Sequence, residues 1–212
     1  MADLKRRLTQ KDITLKEMLI ISYDYYRKID NKEWRASVDV VNARLIRRFN
    51  FSYNQSKKLW EQTGRETKLL FTVKSDPKSY KKTDSLKFHY YPITVIFKDI
   101  SRGINSPIKV RCGSLFKPKS IGKKGINTET RKKLVEQDIK NGIEFDFFFH
   151  DMWVLHQFNL LYGRDWTNGP PRKVNPNLHP YFCKHLFFVC SKIILPLLSS
   201  KRFRLNELWK NE

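Results

Sequence analysis

Apolar positions near the start of the chain recur with a helical period. From Thr14, the residues Leu15, Met18, Leu19, Ser22, Tyr25, Tyr26 and Ile29 share one helix face. After a turn at Asp30-Asn31-Lys32, the positions Trp34, Val38, Val41, Leu45 and Phe49 predict a second helix. A shorter third helix is predicted from about Tyr53 to Gln62, stopping at Gly64. Beyond Gly64 the period changes. Leu69 to Val73 reads as a strand, and Tyr90 to Phe97 as a stronger one, with Ile93, Val95 and Phe97 on one face. The turn Arg102-Gly103-Ile104-Asn105-Ser106 returns the chain into a strand over Ile108 to Cys112, most simply as an antiparallel hairpin. A helix follows from about Thr128 to Lys140. In the aromatic block 145–162, Phe145, Phe148, Phe149, Met152, His156 and Leu160 fit one core-facing stripe; Phe147 and Trp153 fall off it, as if for a neighbouring subunit. Prolines at 170, 171, 176 and 180 hold the next stretch out of helix until just before Cys183, where Leu186 to Val189 resume one.

These patterns predict an α+β fold: N-terminal helices, a small antiparallel sheet (hairpin about 90–112) and C-terminal aromatic helices. The expected division is a basic arm and helical region over 1–64, an α+β domain over 65–190, and a C-terminal helix and docking tail over 191–212.

Charge changes this picture most. Lys and Arg number 42 against 21 acids, a formal net charge of +21. So large an imbalance calls for a polyanion or an acidic partner. Its strongest local expression is 109–124, where Lys109, Arg111, Lys117, Lys119, Lys123 and Lys124 occur without one carboxylate. Arg44, Arg47 and Arg48 form a second basic cluster, at the end of the predicted second helix. Three short helices, one of them basic, admit a helix-turn-helix reading. The joining turns lack its spacing, so an ordinary bundle with a solvated charged face is expected instead. Arg172 and Lys173, in the proline-rich loop 168–180, are candidates for a partner contact.

The chain has 3 cysteines, an odd number that suggests a reducing interior and no disulfide framework. The charged start, Met1 to Arg7, is not followed by the apolar run of a signal peptide. Leu186 to Leu198 is too short to cross a bilayer and contains Lys192 and Pro196. No membrane partner is expected.

Cys183 and His185, one residue apart at a loop-to-helix junction, suit zinc, which takes thiolate and imidazole ligands. Upstream, Val110-Arg111-Cys112-Gly113-Ser114 supplies a further cysteine. Together with Asn175-Pro176-Asn177-Leu178-His179-Pro180-Tyr181-Phe182-Cys183-Lys184-His185, this resembles a SWIM-type zinc finger, Cys-x-Cys followed by Cys-x-His. It most resembles the variant in poorly characterised proteins of tailed bacteriophages, over roughly residues 90 to 190. The resemblance implies Cys112, Cys183 and His185 as zinc ligands. Ser114 stands where the second cysteine belongs, and the segment Phe116 to Gly142 lengthens the usual spacing. The fourth ligand is left open among His150, His156, His179 and Cys190; alternatively the metal is lost and the fold kept. Cys112 also fits an ordinary inward strand position, alternating with Lys109 and Arg111.

The chain contains no Walker A sequence, no Gly-x-Gly-x-x-Gly, no Gly-x-Ser-x-Gly and no His-Glu-x-x-His. Glu144 and Asp146 are a weak echo of a nuclease core, and Cys183 beside His185 lacks a third group from a separate segment. A non-enzymatic protein is expected. The resemblance implies a structural or assembly component of a tailed-phage particle, near the neck, collar or head vertex. It would be a virion protein, present in host cytoplasm during assembly, with other particle subunits and DNA as partners in an oligomeric setting. The alternative is a free nucleic-acid-binding accessory protein.

Overall fold

The computed structural model describes residues 12–28, 40–48, 51–54, 59–62, 66–75, 89–122, 125–145, 147–167, 169–170 and 178–199. Helix α1, Leu15–Lys28, opens on a capping box. Thr14 Oγ1 accepts from Glu17 N–H at 3.2 Å, and Glu17 Oε2 accepts in return from Thr14 N–H at 2.9 Å. Leu15, Met18, Ser22 and Tyr26 are buried, as the 3.6-residue period requires.

The next segment departs from its expected form. Val40–Arg48 is strand β1, Phe51–Asn54 is β2 and Leu59–Gln62 is β3, where the apolar period predicts the second and third helices. Val41, Ala43 and Leu45 alternate as readily as Val38, Val41 and Leu45 recur helically, so the local pattern admits both readings. Pairing decides between them. β1 lies antiparallel on β4, Thr67–Ser75, with register shifts at Val40/Asn42 and Leu45/Arg47 that blur the alternation. β2 and β3 form a separate two-stranded hairpin.

β4 buries Thr67, Leu69, Phe71 and Val73 at a strict period of two. It pairs with β5, His89–Phe97, which pairs in turn with β6, Ile108–Cys112, giving an antiparallel sheet ordered β1-β4-β5-β6. The architecture is α+β, and the expected 90–112 hairpin is its central feature. The hairpin is closed by a 3₁₀ turn over Ile100–Asn105, where Asp99 Oδ1 accepts from Ser101 N–H at 3.1 Å.

β6 is held along its other edge as well. Ile108 N–H donates to Ile13 O at 3.0 Å, Val110 N–H to Leu160 O at 2.7 Å, and Tyr162 N–H to Val110 O at 2.9 Å. These bonds hold β6 from both sides as far as Val110, just before Arg111 and Cys112.

Helix α2, Thr128–Lys140, keeps the expected bounds, with Asn127 as its N-cap. The aromatic block begins with a π-helical turn, Phe147–Asp151, and continues as α3, Met152–Gln157. The wider turn rotates the helix phase. Phe147 is therefore fully buried, while Phe149 and His156 are exposed, reversing the expected stripe at these positions. Trp153 packs against the same core and not outward. The last described helix runs as α4, Lys184–Phe188, a π-helical stretch Val189–Ile194, and α5, Leu195–Ser199. Among the described residues, no helix is long and apolar enough to cross a membrane.

Candidate metal centre

Cys112 ends β6, and Cys183 is the N-cap of α4 with His185 in its first turn. The Cys183 segment is carried by α1: Ser22 Oγ accepts from Phe182 N–H, and Tyr26 O–H donates to Phe182 O, each at 2.9 Å. Tyr181 stacks on Tyr25, with ring centroids 3.6 Å apart. Ser22 and Tyr26 thus fix the backbone immediately before the cysteine.

The third element is the link between α2 and the aromatic block. Gly142 (φ +78°) lies so close to β5 that a Cβ there would meet Pro92 Cδ at 2.9 Å; one on Gly113 (φ +86°) would meet Glu144 N at the same distance. Ser114 N–H donates to Gly142 O at 2.8 Å. This close approach lays Glu144 beside Cys112. Glu144 then turns back on its own helix, its Oε2 accepting from Phe147 N–H.

The result is a buried quartet: Cys112, Glu144, Cys183 and His185 present ligand atoms that all lie within 4.8 Å of one another. His185 Nδ1 is 3.9 Å from Glu144 Oε1, beyond hydrogen-bond reach, and neither ring nitrogen has a hydrogen-bond partner among the described residues. Leaving both nitrogens of a buried imidazole unmatched costs free energy unless something else takes their lone pair.

The electrostatics point the same way. Burial, then the Cys183 thiol and the carboxylates of Glu144 and Asp151, push the Cys112 thiol well above its usual range. Burial also raises Cys183, although Cys112 and the Leu186 amide oppose the rise. Burial, with Lys184 alongside, brings the His185 imidazole down to about 3, so it is neutral at ordinary pH. Two thiols, a neutral imidazole and a carboxylate surround one point with no cation among them. A divalent metal at that point would invert this balance, turning the thiols into thiolates.

Cys112, Cys183 and His185 are therefore brought together as expected. The fourth member among the described residues is Glu144, and three of the residues held open for that place lie elsewhere. His156 is exposed and 3.5 Å from Asp165, His179 is half-buried outside the quartet, and Cys190 is buried in the core, its thiol raised by burial and by Cys183. The side chain of His150 lies outside the described residues. Glu144 is the residue that sequence reasoning missed. The signal available was Gly142-Ile143-Glu144 after a helix end, a tight turn that delivers an acid into an apolar stretch.

The expected polyanion residues separate. Lys117 and Lys119 are exposed and Lys109 is half-buried. Arg111 is corrected outright: it is fully buried, and its guanidinium donates to Ser114 O, Tyr162 O and Arg164 O at 3.0, 3.1 and 3.0 Å. Burial brings its pKa down to about 10, against the opposing fields of Cys112, Asp165 and Tyr162. It is a structural staple, not a surface cation. Arg44, Arg47 and Arg48 lie on β1, their backbone paired with Thr72, Leu70 and Leu69. Lys123, Lys124, Arg172 and Lys173 lie outside the described residues.

The basic loop is more tightly held than its glycines suggest. The buried Asp138 carboxylate accepts from Lys119 N–H at 2.9 Å and Ser120 N–H at 2.8 Å, tying the loop to α2. No family model matches the chain, and neither a curated protein nor a solved structure shows significant similarity to it.

Proposed function

We propose that the protein is a non-enzymatic structural or assembly component of a tailed-phage particle, locked by a zinc ion and turning a basic face toward DNA or acidic neighbouring subunits. The observation that carries the zinc is the buried quartet with both His185 nitrogens unmatched. Two sulfurs, one imidazole and one carboxylate form a donor set that suits tetrahedral zinc better than magnesium or calcium, which take oxygen. Four protein donors leave no position for water or substrate, the mark of a structural centre. Cys112, Cys183 and His185 match the SWIM-like pattern, and Glu144 stands in for the cysteine that Ser114 replaces.

The particle role is supported by that motif resemblance and by the +21 net charge. Elemental analysis of the purified protein tests the first half: about one zinc per chain is expected, and a value far below one removes the metal from the reading. Mass spectrometry of purified particles tests the second half, with stoichiometric recovery expected. Absence from particles favours the free nucleic-acid-binding alternative.

A further inference from the structure

The Arg111 staple shapes the surface above it. Its bonds join the start of the basic loop, at Ser114, to the extended segment from Tyr162 to Arg164. The join is reinforced by Trp166 Nε1–H donating to Leu115 O at 3.0 Å, and by Leu115 closing over Gly163. Two segments about fifty residues apart in sequence are thereby fixed side by side.

What they present outward is unusual for a solvated loop. Phe116 is 76% exposed, the most exposed large apolar side chain among the described residues. Lys117 and Lys119 follow it, both exposed. On the adjoining segment, Arg164 lies over the Trp166 ring, 4.7 Å from its centroid. Two acids beside these segments are engaged. Asp165 accepts from Thr167 N–H and Oγ1–H, and Asp138 is buried under the loop amides. An exposed aromatic ring flanked by cations, with Asp138 and Asp165 engaged elsewhere, matches stacking and phosphate neutralisation together.

We propose that the ridge of Phe116, Lys117, Lys119, Arg164 and Trp166 binds single-stranded nucleic acid, an unpaired base stacking on Phe116 and the cations facing phosphates. A duplex would have to unstack a base step before Phe116 could contact a base face, a cost that a single strand does not carry, so the single strand is the favoured ligand. This names the polyanion of the basic face and in that respect rests on the function proposed above.

The test is fluorescence anisotropy of the full-length protein with labelled oligothymidylate of about 20 nucleotides and with the matching duplex, at several salt concentrations. Net charge alone would bind both, so the discriminating quantities are the ratio between them and the effect of the exposed ring. Phe116→Ala is expected to weaken single-strand binding about tenfold, Phe116→Trp to keep it, and duplex binding to change little in either. Lys117→Gln with Lys119→Gln should lower the log–log salt slope by about 0.7 for each phosphate no longer neutralised. Equal affinity of wild type and Phe116→Ala for the single strand overturns the proposal. So does a duplex that binds as tightly as the single strand, or a protein that takes polyglutamate and ignores the oligonucleotide. None of these results touches zinc content or recovery in particles, so the assembly reading fails or stands separately.

Discussion

Two neighbouring residues at the end of β6 serve opposite ends of the molecule's chemistry. Cys112 joins the buried quartet, and Arg111 staples the exposed ridge. Strand alternation sends adjacent side chains to opposite faces, so one rigid strand end supports both regions. In the buried centre, water is excluded and each polar group must be answered by a neighbour or a metal. On the ridge, Lys117 and Lys119 are solvated and screened, and their value lies in attracting a partner. Basic residues close in sequence are therefore not one class. Arg111 spends its charge on three carbonyls, whereas Lys117 keeps its own available.

The sharpest way to separate the two regions is to empty the centre. Cys183→Ser should remove zinc and most of the cooperative unfolding transition, since structural zinc in small domains is worth on the order of 10 kcal/mol. Elemental analysis and calorimetry check this together. Retention of a full zinc with an unchanged Tm would mean that the quartet does not need Cys183.

Breaking the staple should cost less and leave the centre intact. Arg111→Met leaves the carbonyls of Ser114, Tyr162 and Arg164 without their donor, a destabilisation of about 3 kcal/mol by urea titration. Zinc stoichiometry should stay at the wild-type value while oligothymidylate binding weakens. Loss of zinc in this variant would show that the two faces of β6 are coupled.

The effect that is smallest per step is a pH slope in the metal-free protein. The folded His185 is brought from 6.5 down to about 3 by burial, so between those values the unfolded chain binds a proton that the folded one refuses. Stability should therefore fall as pH drops from 6.5 toward about 3, by up to about 1.4 kcal/mol per pH unit. Chelated protein unfolded in urea at stepped pH measures the slope, and His185→Phe should flatten it. A flat profile in the chelated wild type would place His185 in contact with water.

Some of this was legible without tertiary structure because local physics sufficed. The β5–β6 hairpin and the bounds of α2 follow from period-two and period-3.6 burial with turn residues between. Cys183 and His185 were legible from ligand type and spacing, whereas Cys112 entered only through the resemblance to the SWIM-type pattern. Other features belonged to the fold alone. Val40–Arg48 carries a pattern that suits helix or strand, and only the partner strand β4 settles which backbone bonds form. The π-helical turn at Phe147–Asp151 shifts the buried face by a fraction of a turn, which a regular period cannot anticipate. Glu144 becomes the fourth donor because Gly113 and Gly142 let two backbone segments nearly touch. Arg111 is buried because carbonyls from residues 114, 162 and 164 converge on it, a meeting that depends on distances in space and not along the chain.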